Sequence, residues 1–227
     1  MEPIIEVKNA TKIYKVGSEK ILALDNVSFT IDKGDFCCLL GSSGSGKSTL
    51  LNIMAGIEKI TSGDIFIKGK NITKMGEHQL AKFRQKYLGF VFQSYNLINS
   101  LNAIENVELP LIFKEVPHKI RLQKAKVMLE KVGLKERMKH KPNQMSGGQQ
   151  QRVGIARAIA AHPKFIVLYE PTSSLDVSIR AEIIDLLRNL QKNMGVSYLF
   201  ISHDLSTIQY ICNRVAVMYL GSIVEYG

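Results

Sequence analysis

The chain has 227 residues, 45% of them hydrophobic, and its 30 lysines and arginines against 20 aspartates and glutamates give a formal net charge of +10. This length suits one large domain, and the apolar share excludes intrinsic disorder. No apolar run is as long as a membrane helix, and residues 1–5 lack the layout of a signal peptide. We therefore expect a soluble, cytoplasmic protein.

The positive charge has two interpretations. It suits an anionic partner such as nucleic acid or a membrane surface, or it is a solvated basic surface, which the scattered lysines favour. The densest basic stretch, residues 135–141, has no interleaved aromatic residues for base stacking, so nucleic acid is not an expected partner. The odd count and lack of CxxC spacing of Cys37, Cys38 and Cys212 argue against a disulfide framework or a zinc site. Cys37 and Cys38 lie in the apolar run of residues 36–40, which indicates buried, reduced thiols.

Strands and helices alternate along most of the chain. The predicted strands are residues 4–7, 27–31, 36–40, 63–68, 87–92, 165–168, 197–201 and 215–219, and the predicted helices are 48–55, 119–132, 179–194 and 204–212. Residues 16–19 are a predicted hairpin connection and residues 33–35 a predicted turn. The alternation predicts an α/β fold with a mostly parallel core sheet, an antiparallel β part at the N-terminus and an inserted helical part.

A phosphate-binding pattern lies between a predicted strand and a predicted helix. Residues 41–48 fit G-x-x-x-x-G-K-[ST], in which glycines let successive backbone N–H groups face one anion and the helix dipole adds to the attraction. Lys47 can reach the β- and γ-phosphates, and the Ser48 hydroxyl can ligate Mg²⁺. The pattern predicts a P-loop nucleotide hydrolase; the alternative, a chance glycine-rich turn, is disfavoured by the flanking strand and helix.

A second anion-binding helix start is predicted at Ser146, which precedes Gly147 and Gly148. One nucleotide fold then has two phosphate-binding helix ends. A head-to-tail pair of chains, each offering its second site to the nucleotide of the other, is the simplest explanation.

With the P-loop, residues 145–149 and the motifs that follow make the whole chain resemble the nucleotide-binding domain of ABC transporters. The resemblance implies a single domain, 1–227, with a nucleotide-binding core of residues 1–93 and 162–227 and a helical signature subdomain of residues 94–161. It implies ATP and Mg²⁺ as cofactors and two partners, a second nucleotide-binding domain and a transmembrane permease. The chain would then lie on the cytoplasmic face of the cell membrane, bound to that permease.

The resemblance also implies roles for single residues. Tyr14 matches the aromatic residue that stacks on adenine, Gln93 the glutamine that contacts Mg²⁺, and His203 the switch histidine. Without it, these would be a strand-face aromatic, a polar loop residue and part of a helix-start pair. The implied ATP contacts are Tyr14, Gly41, Ser42, Ser43, Gly44, Ser45, Gly46, Lys47, Ser48 and Thr49 within one chain and Ser146, Gly147, Gly148, Gln149 and Asp176 from the partner chain, with Ser48 and Gln93 as metal ligands.

One position departs from the family pattern. After the apolar residues 165–168 the family has Asp-Glu, whereas this chain has Tyr169 and Glu170. Glu170 is the expected general base, with Lys47 and His203 as the other catalytic residues. A phenol with a pKa of about 10 does not supply the charge of a carboxylate beside Mg²⁺. Two explanations stay open: weaker Mg²⁺ binding with slower turnover, or an ATP-binding, hydrolysis-impaired subunit of a heteromeric or assembly complex.

The two parts of the chain resemble different transporter subgroups. Residues 89–98 and 105–111 resemble the lipoprotein-releasing and macrolide-efflux group. Residues 175–179, 198–205 and 217–225 resemble oligopeptide and dipeptide importers. We expect the first group, because the family meets its membrane partner through the helical insertion and the segment around Gln93.

Overall fold

The computed structural model describes residues 3–227, and the contacts divide the chain into two units. The first unit runs up to Arg84 and resumes from Ser197 to Gly227. The second unit is Gln85–Val196.

An antiparallel sheet forms the N-terminal part of the first unit. It consists of β1 (Ile5–Val16), β2 (Glu19–Ile31), β4 (Ser62–Ile67) and β5 (Lys70–Asn71), in the order β2-β1-β4-β5. Strands β1 and β2 form the predicted hairpin but are much longer than predicted. Their pairing shifts register three times, between Val7 and Ile13, and each shift breaks the alternation of apolar and polar residues that marks a strand in sequence.

Parallel strands follow in the same unit. Strand β3 (Phe36–Gly41) pairs in parallel with β8 (Ser197–Ile201) on one side and β9 (Arg214–Tyr219) on the other, and β10 (Ser222–Tyr226) returns antiparallel to β9. Cys37 and Cys38 are fully buried in β3, as predicted for its apolar run. The helices are α1 (Lys47–Met54) and α7 (Leu205–Ile211), while α2 (Glu77–Tyr87) extends past the boundary of the unit.

The second unit combines a parallel strand pair with four helices. Strands β6 (Leu88–Phe92) and β7 (Phe165–Tyr169) pair in parallel. The helices are α3 (Ala103–Phe113), α4 (His118–Lys131), α5 (Gly147–Ala160) and α6 (Val177–Met194). Helices α3, α4 and α5 pack on one another around fully buried side chains that include Val107, Leu129 and Val153. Among the described residues, no helix is long and apolar enough to span a membrane.

Candidate nucleotide-binding site

The loop between β3 and α1 has the backbone geometry of an anion nest. Gly46 precedes the helix with φ 102°, and Gly44 has φ 78°. A Cβ at Gly46 would lie 2.6 Å from the carbonyl oxygen of Ala23, so only glycine fits there. Gly46 has no side chain to cap α1, and this leaves the first N–H groups of the helix to a bound anion.

Lys47 folds over this loop. Its ammonium donates to the carbonyl oxygens of Gly41 at 2.8 Å and Ser42 at 2.7 Å, and to Ser45 Oγ at 3.3 Å. These contacts hold the ammonium group near the nest, where it can donate to phosphate oxygens instead. Ser48 is an exposed residue in the first turn of α1.

Tyr14 is joined to the same helix. Its hydroxyl donates to Thr49 Oγ1 at 3.4 Å, and the ammonium of Lys12 lies 4.8 Å from its ring centroid. Burial is the main reason that the pKa of Tyr14 is raised, with the carboxylate of Glu58 contributing. The predicted base-stacking ring and the predicted phosphate nest are therefore structurally connected.

His203 lies at the same sheet edge as the P-loop. Leu39 of β3 pairs with Ile201 of β8, so Gly41 and His203 each stand two residues beyond a paired position. Ligands of parallel α/β sheets bind at the carboxyl ends of the strands. The side chain of the following residue, Asp204, accepts from the backbone N–H of Ser206 and caps α7, as expected for a helix-start residue.

In the second unit, Gln93 and Glu170 lie side by side. Phe92 of β6 pairs with Tyr169 of β7, and the two site residues are the next residues of the two strands. Glu170 has φ 44°, a left-handed conformation that is rare for a residue with a side chain. Its carbonyl oxygen accepts from Ser173 Oγ at 3.0 Å, which holds this bend in place.

Ser146 caps α5 as predicted. Its hydroxyl accepts from the N–H of Gln149 at 3.4 Å, and Gln149 Oε1 accepts from the N–H of Ser146 at 3.2 Å, a reciprocal capping box. A Cβ at Gly148 would lie 2.6 Å from Ile179 Cγ2, so a larger residue here would force the side chain of Ile179 on α6 to shift. Asp176 is the N-cap residue of α6, the next helix along the chain after α5.

Gln151 was not predicted as a site residue, yet from α5 it contacts the segments that carry Gln93 and Glu170. It is fully buried in α5, and its Nε2 donates to the carbonyl oxygens of Phe92, at 3.4 Å, and of Pro171. Phe92 precedes Gln93, and Pro171 follows Glu170. Helical spacing offered a signal: Gln151 lies three residues after buried Gly148 and four before buried Ile155, on the inner face of α5.

Arg157 and Ser174 anchor the segment after Gln93, and neither was predicted to do so. Arg157 donates to the carbonyl oxygens of Tyr95 at 2.9 Å and Asn96 at 2.6 Å, and burial lowers the pKa of its guanidinium. Ser174 Oγ donates to the carbonyl oxygen of Gln93 at 3.4 Å and lies 3.2 Å from the hydroxyl of Tyr95. The backbone around Gln93 is therefore held from two sides.

Comparison with known proteins identifies the family. Residues 24–173 match the family model described as ABC transporter. The chain belongs to the ABC transporter family. It is 47% identical over 208 residues to an uncharacterized ABC transporter ATP-binding protein of Thermotoga maritima. These aligned residues cover 92% of this chain and 88% of that protein. It is also 42% identical to the methionine import ATP-binding protein MetN of Geobacillus kaustophilus, over 99% of this chain and 65% of that protein.

A solved ABC cassette has the same fold. The ATP-binding cassette MJ0796, determined as a dimer in a post-hydrolysis state bound to ADP and Pi, superposes with a TM-score of 0.89 and 40% sequence identity, covering 98% of this chain and 97% of that one. These matches confirm the predicted P-loop α/β fold of an ABC ATPase. They also confirm the prediction of an ATP-binding enzyme that hydrolyses ATP to ADP and phosphate.

Proposed function

We propose that this ABC ATPase dimerises around two ATP molecules and drives transport through a separate membrane permease. The observation that carries the proposal is the presence of two anion-binding helix starts in one chain, Gly46 before α1 and Ser146 before α5. One copy needs the first for its own nucleotide and offers the second to the nucleotide of another copy. The dimer described for MJ0796 supports this arrangement.

Each predicted site residue has a role in this proposal. The P-loop N–H groups and Lys47 bind the β- and γ-phosphates, and Tyr14 stacks on the adenine. Glu170 orients the attacking water, and His203 stabilises the transferred phosphoryl group. Residues 146–149 and Asp176 contact the nucleotide held by the other copy.

Mg²⁺ fits the oxygen donors that the chain offers. Mg²⁺ prefers oxygen ligands and keeps several waters, so a protein site needs to supply only one or two donors besides phosphate. The exposed hydroxyl of Ser48 and the amide oxygen of Gln93 are such donors. When bound, the ion supplies charge neutralisation at the phosphates.

Tyr169 supports a second candidate function, an ATP-binding subunit with impaired hydrolysis. It is the last residue of β7, next to Glu170, where the family has a carboxylate. A neutral phenol in place of that charge weakens an interaction worth about 1.5–3 kcal/mol, or one to two decades in an equilibrium constant. A heteromeric partner with an intact site would then carry the turnover.

The experiment that separates the two functions is steady-state ATP hydrolysis with Mg²⁺ at several protein concentrations. Three chains are compared: the parent, Tyr169→Asp and Glu170→Gln. For the dimeric ATPase we expect a parent rate that rises more than linearly with concentration and is lost in Glu170→Gln. A silent parent whose turnover is recovered by Tyr169→Asp would instead support the impaired subunit. A linear rate that is unchanged in Glu170→Gln would contradict both.

The permease partner has a proposed docking groove in the second unit. The groove has a volume of about 360 Å³ and is lined mainly by apolar side chains. Its apolar lining includes Leu88, Phe90, Phe92, Leu109, Phe113 and Ala158. Phe113 is 64% exposed, an unusual exposure for a phenylalanine, and offers a contact to an apolar segment of another protein.

Basic side chains flank this groove. Lys114, next to Phe113, donates to the carbonyl oxygen of the lining residue Ala161 at 2.8 Å. Burial and the positive charges of four lysines lower the pKa of His162, and burial with two lysines lowers that of Lys114. We call the cluster formed by Lys114, His162 and the lysines that act on them the basic rim; it comprises Lys86, Lys114, Lys124, Lys131, His162 and Lys164. The groove and its rim together fit an amphipathic permease segment with apolar and acidic side chains.

Charge reversal on α4 tests this docking surface. Lys124→Glu changes the rim, whereas Lys126→Glu makes the same change on the same helix at a residue outside the rim. Binding is measured by co-sedimentation with vesicles prepared from membranes of the cells that make the protein. We expect Lys124→Glu and Phe113→Ser to weaken binding about tenfold and Lys126→Glu to leave it unchanged. Equal loss in both lysine variants would indicate non-specific attraction to the membrane.

A further inference from the structure

The ring of Tyr14 is held by two charged neighbours outside the P-loop. The ammonium of Lys12 lies 4.8 Å from the ring centroid, and the same ammonium lies 3.0 Å from Glu58 Oε1. The hydroxyl of Tyr14 lies 3.4 Å from Thr49 Oγ1 and also hydrogen bonds to the carboxylate of Glu58. One face and the polar end of the ring are therefore restrained at the same time.

The two charged residues are themselves fixed by the backbone. Lys12 Nζ donates to the carbonyl oxygen of Lys59 at 2.7 Å, and the N–H of Glu58 donates to the carbonyl oxygen of Asn52 in α1 at 3.2 Å. The N–H of Ile13 donates to Thr61 Oγ1 at 3.0 Å, which fastens β1 to the loop that carries Glu58. Backbone contacts thus hold the charged pair in place.

Neighbouring groups keep the carboxylate of Glu58 ionised. Partial burial acts to raise the pKa of Glu58, but hydrogen bonds from Tyr14, Lys12 and Asn52 and the charge of Lys12 outweigh it and hold this pKa below its usual value. The side chains of Lys12 and Glu58 are only 13% and 24% exposed. Lys8 and Glu6 form a similar ion pair on the same strand, with Lys8 5.0 Å from the ring of Phe66, but they are 53% and 32% exposed.

We propose that Lys12 and Glu58 are positioning residues that hold the Tyr14 ring, before ATP binds, in the orientation in which it stacks on the base. The inference rests on the proposed role of Tyr14. A ring that is already oriented loses no rotational freedom on binding, so the nucleotide binds more tightly. Because Thr49 belongs to α1, the same contacts set the distance from the ring to the phosphate nest.

This role differs from simple attraction between Lys12 and the charged phosphates. A long-range charge effect acts on any polyphosphate, with or without a base. A positioning effect acts only on ligands that carry a base, and only while the Tyr14 ring is present. Tripolyphosphate, which has the phosphates of ATP but no base, separates the two.

The test compares the affinities of ATP and tripolyphosphate, each measured by displacement of a ribose-labelled fluorescent ATP analogue. The test variants are Lys12→Met and Glu58→Gln, which keep the shape of the side chains, and the matched controls are Lys8→Met and Glu6→Gln. Each test variant is also made in a Tyr14→Ala background. Thermal unfolding of every variant reports whether the fold is kept.

We expect Lys12→Met and Glu58→Gln each to raise the Kd of ATP about three- to tenfold and to leave that of tripolyphosphate unchanged. The controls should change neither, and in the Tyr14→Ala background the test variants should have no further effect. Equal weakening of both ligands, no weakening of ATP, or an effect that persists without Tyr14 would overturn the inference. If Tyr14→Ala itself binds ATP normally, the stacking role fails, and the inference fails with it.

Discussion

At the scale of single residues, a buried amide organises the second unit. Gln151 donates to the carbonyl oxygen before Gln93 and to the carbonyl oxygen after Glu170. Its own Oε1 is buried without a hydrogen-bond partner among the described residues. A fully buried glutamine with one unsatisfied oxygen costs stability, and its two hydrogen bonds suit a positioning role for the two site residues.

Replacing this amide tests that role. Gln151→Met removes both hydrogen bonds from the buried amide, and the carbonyl oxygen of Phe92 keeps its bond from the N–H of Tyr95 at 3.3 Å. We therefore expect a loss of about 1–3 kcal/mol in the free energy of unfolding. We also expect kcat for ATP hydrolysis to fall about tenfold or more, because Glu170 loses its restraint. Urea unfolding and steady-state hydrolysis measure the two quantities.

Gln150→Met is the matched control on the same helix. Gln150 is half-buried and donates to the carbonyl oxygen of Met145, away from Gln93 and Glu170. Gln150→Met should lower the free energy of unfolding without reducing kcat. If both variants reduced kcat equally, Gln151 would have no special role.

At the scale of elements, α3 and α5 begin in the same way. Asn102 caps α3 with Glu105, and Ser146 caps α5 with Gln149, each as a reciprocal capping box. The two caps make the same local contribution to stability. The proposal assigns a nucleotide contact only to the cap of α5.

Alanine at each cap separates stability from function. Asn102→Ala and Ser146→Ala should each lower the free energy of unfolding by about 1 kcal/mol, since each helix loses one side-chain acceptor for its first N–H groups. Only Ser146→Ala should also reduce ATP hydrolysis, measured at a temperature well below both unfolding transitions. Loss of hydrolysis in Asn102→Ala to the same extent would reduce the role of Ser146 to helix stability.

The prediction of elements succeeded where one face of an element is apolar. Helix α4 was predicted within one residue of His118–Lys131, and its inner face includes fully buried Ala125 and Leu129. Helix α3 was not delimited, because it has apolar residues on all sides and contains Pro110, which ordinarily argues against a helix interior. Its burial against α4 and α5 is a tertiary effect that no local pattern expresses.

At the scale of the whole molecule, net charge opposes self-association. Each copy carries +10, so two copies repel each other before any specific contact forms. Bound ATP offsets part of this charge, which makes nucleotide a favourable component of the proposed dimer interface.

Salt should therefore strengthen the dimer. With Glu170→Gln and saturating ATP, raising the ionic strength from about 50 mM to about 300 mM should increase the association constant about threefold or more, because screening weakens the repulsion. Sedimentation velocity at several protein concentrations measures it. A dimer that weakens with salt would show that attractive ion pairs across the interface outweigh the net charge.

Features that depend on neighbouring residues were predictable from the sequence alone. The nest before α1, the capped start of α5 and the ends of the parallel strands follow from contiguous residues, because backbone N–H groups and adjacent side chains set them. The apolar run of β3 likewise predicted its buried position.

The identity of the distant residues that hold the site residues in place depends on how the chain folds. Gln151 contacts a carbonyl oxygen 59 residues away, and Tyr14 contacts a hydroxyl 35 residues away. Glu58 had no local pattern to mark it, since its partners Lys12 and Tyr14 lie on β1, far from it in sequence. Such contacts depend on the packing of separate elements, and the residues between the contacting positions do not predict them.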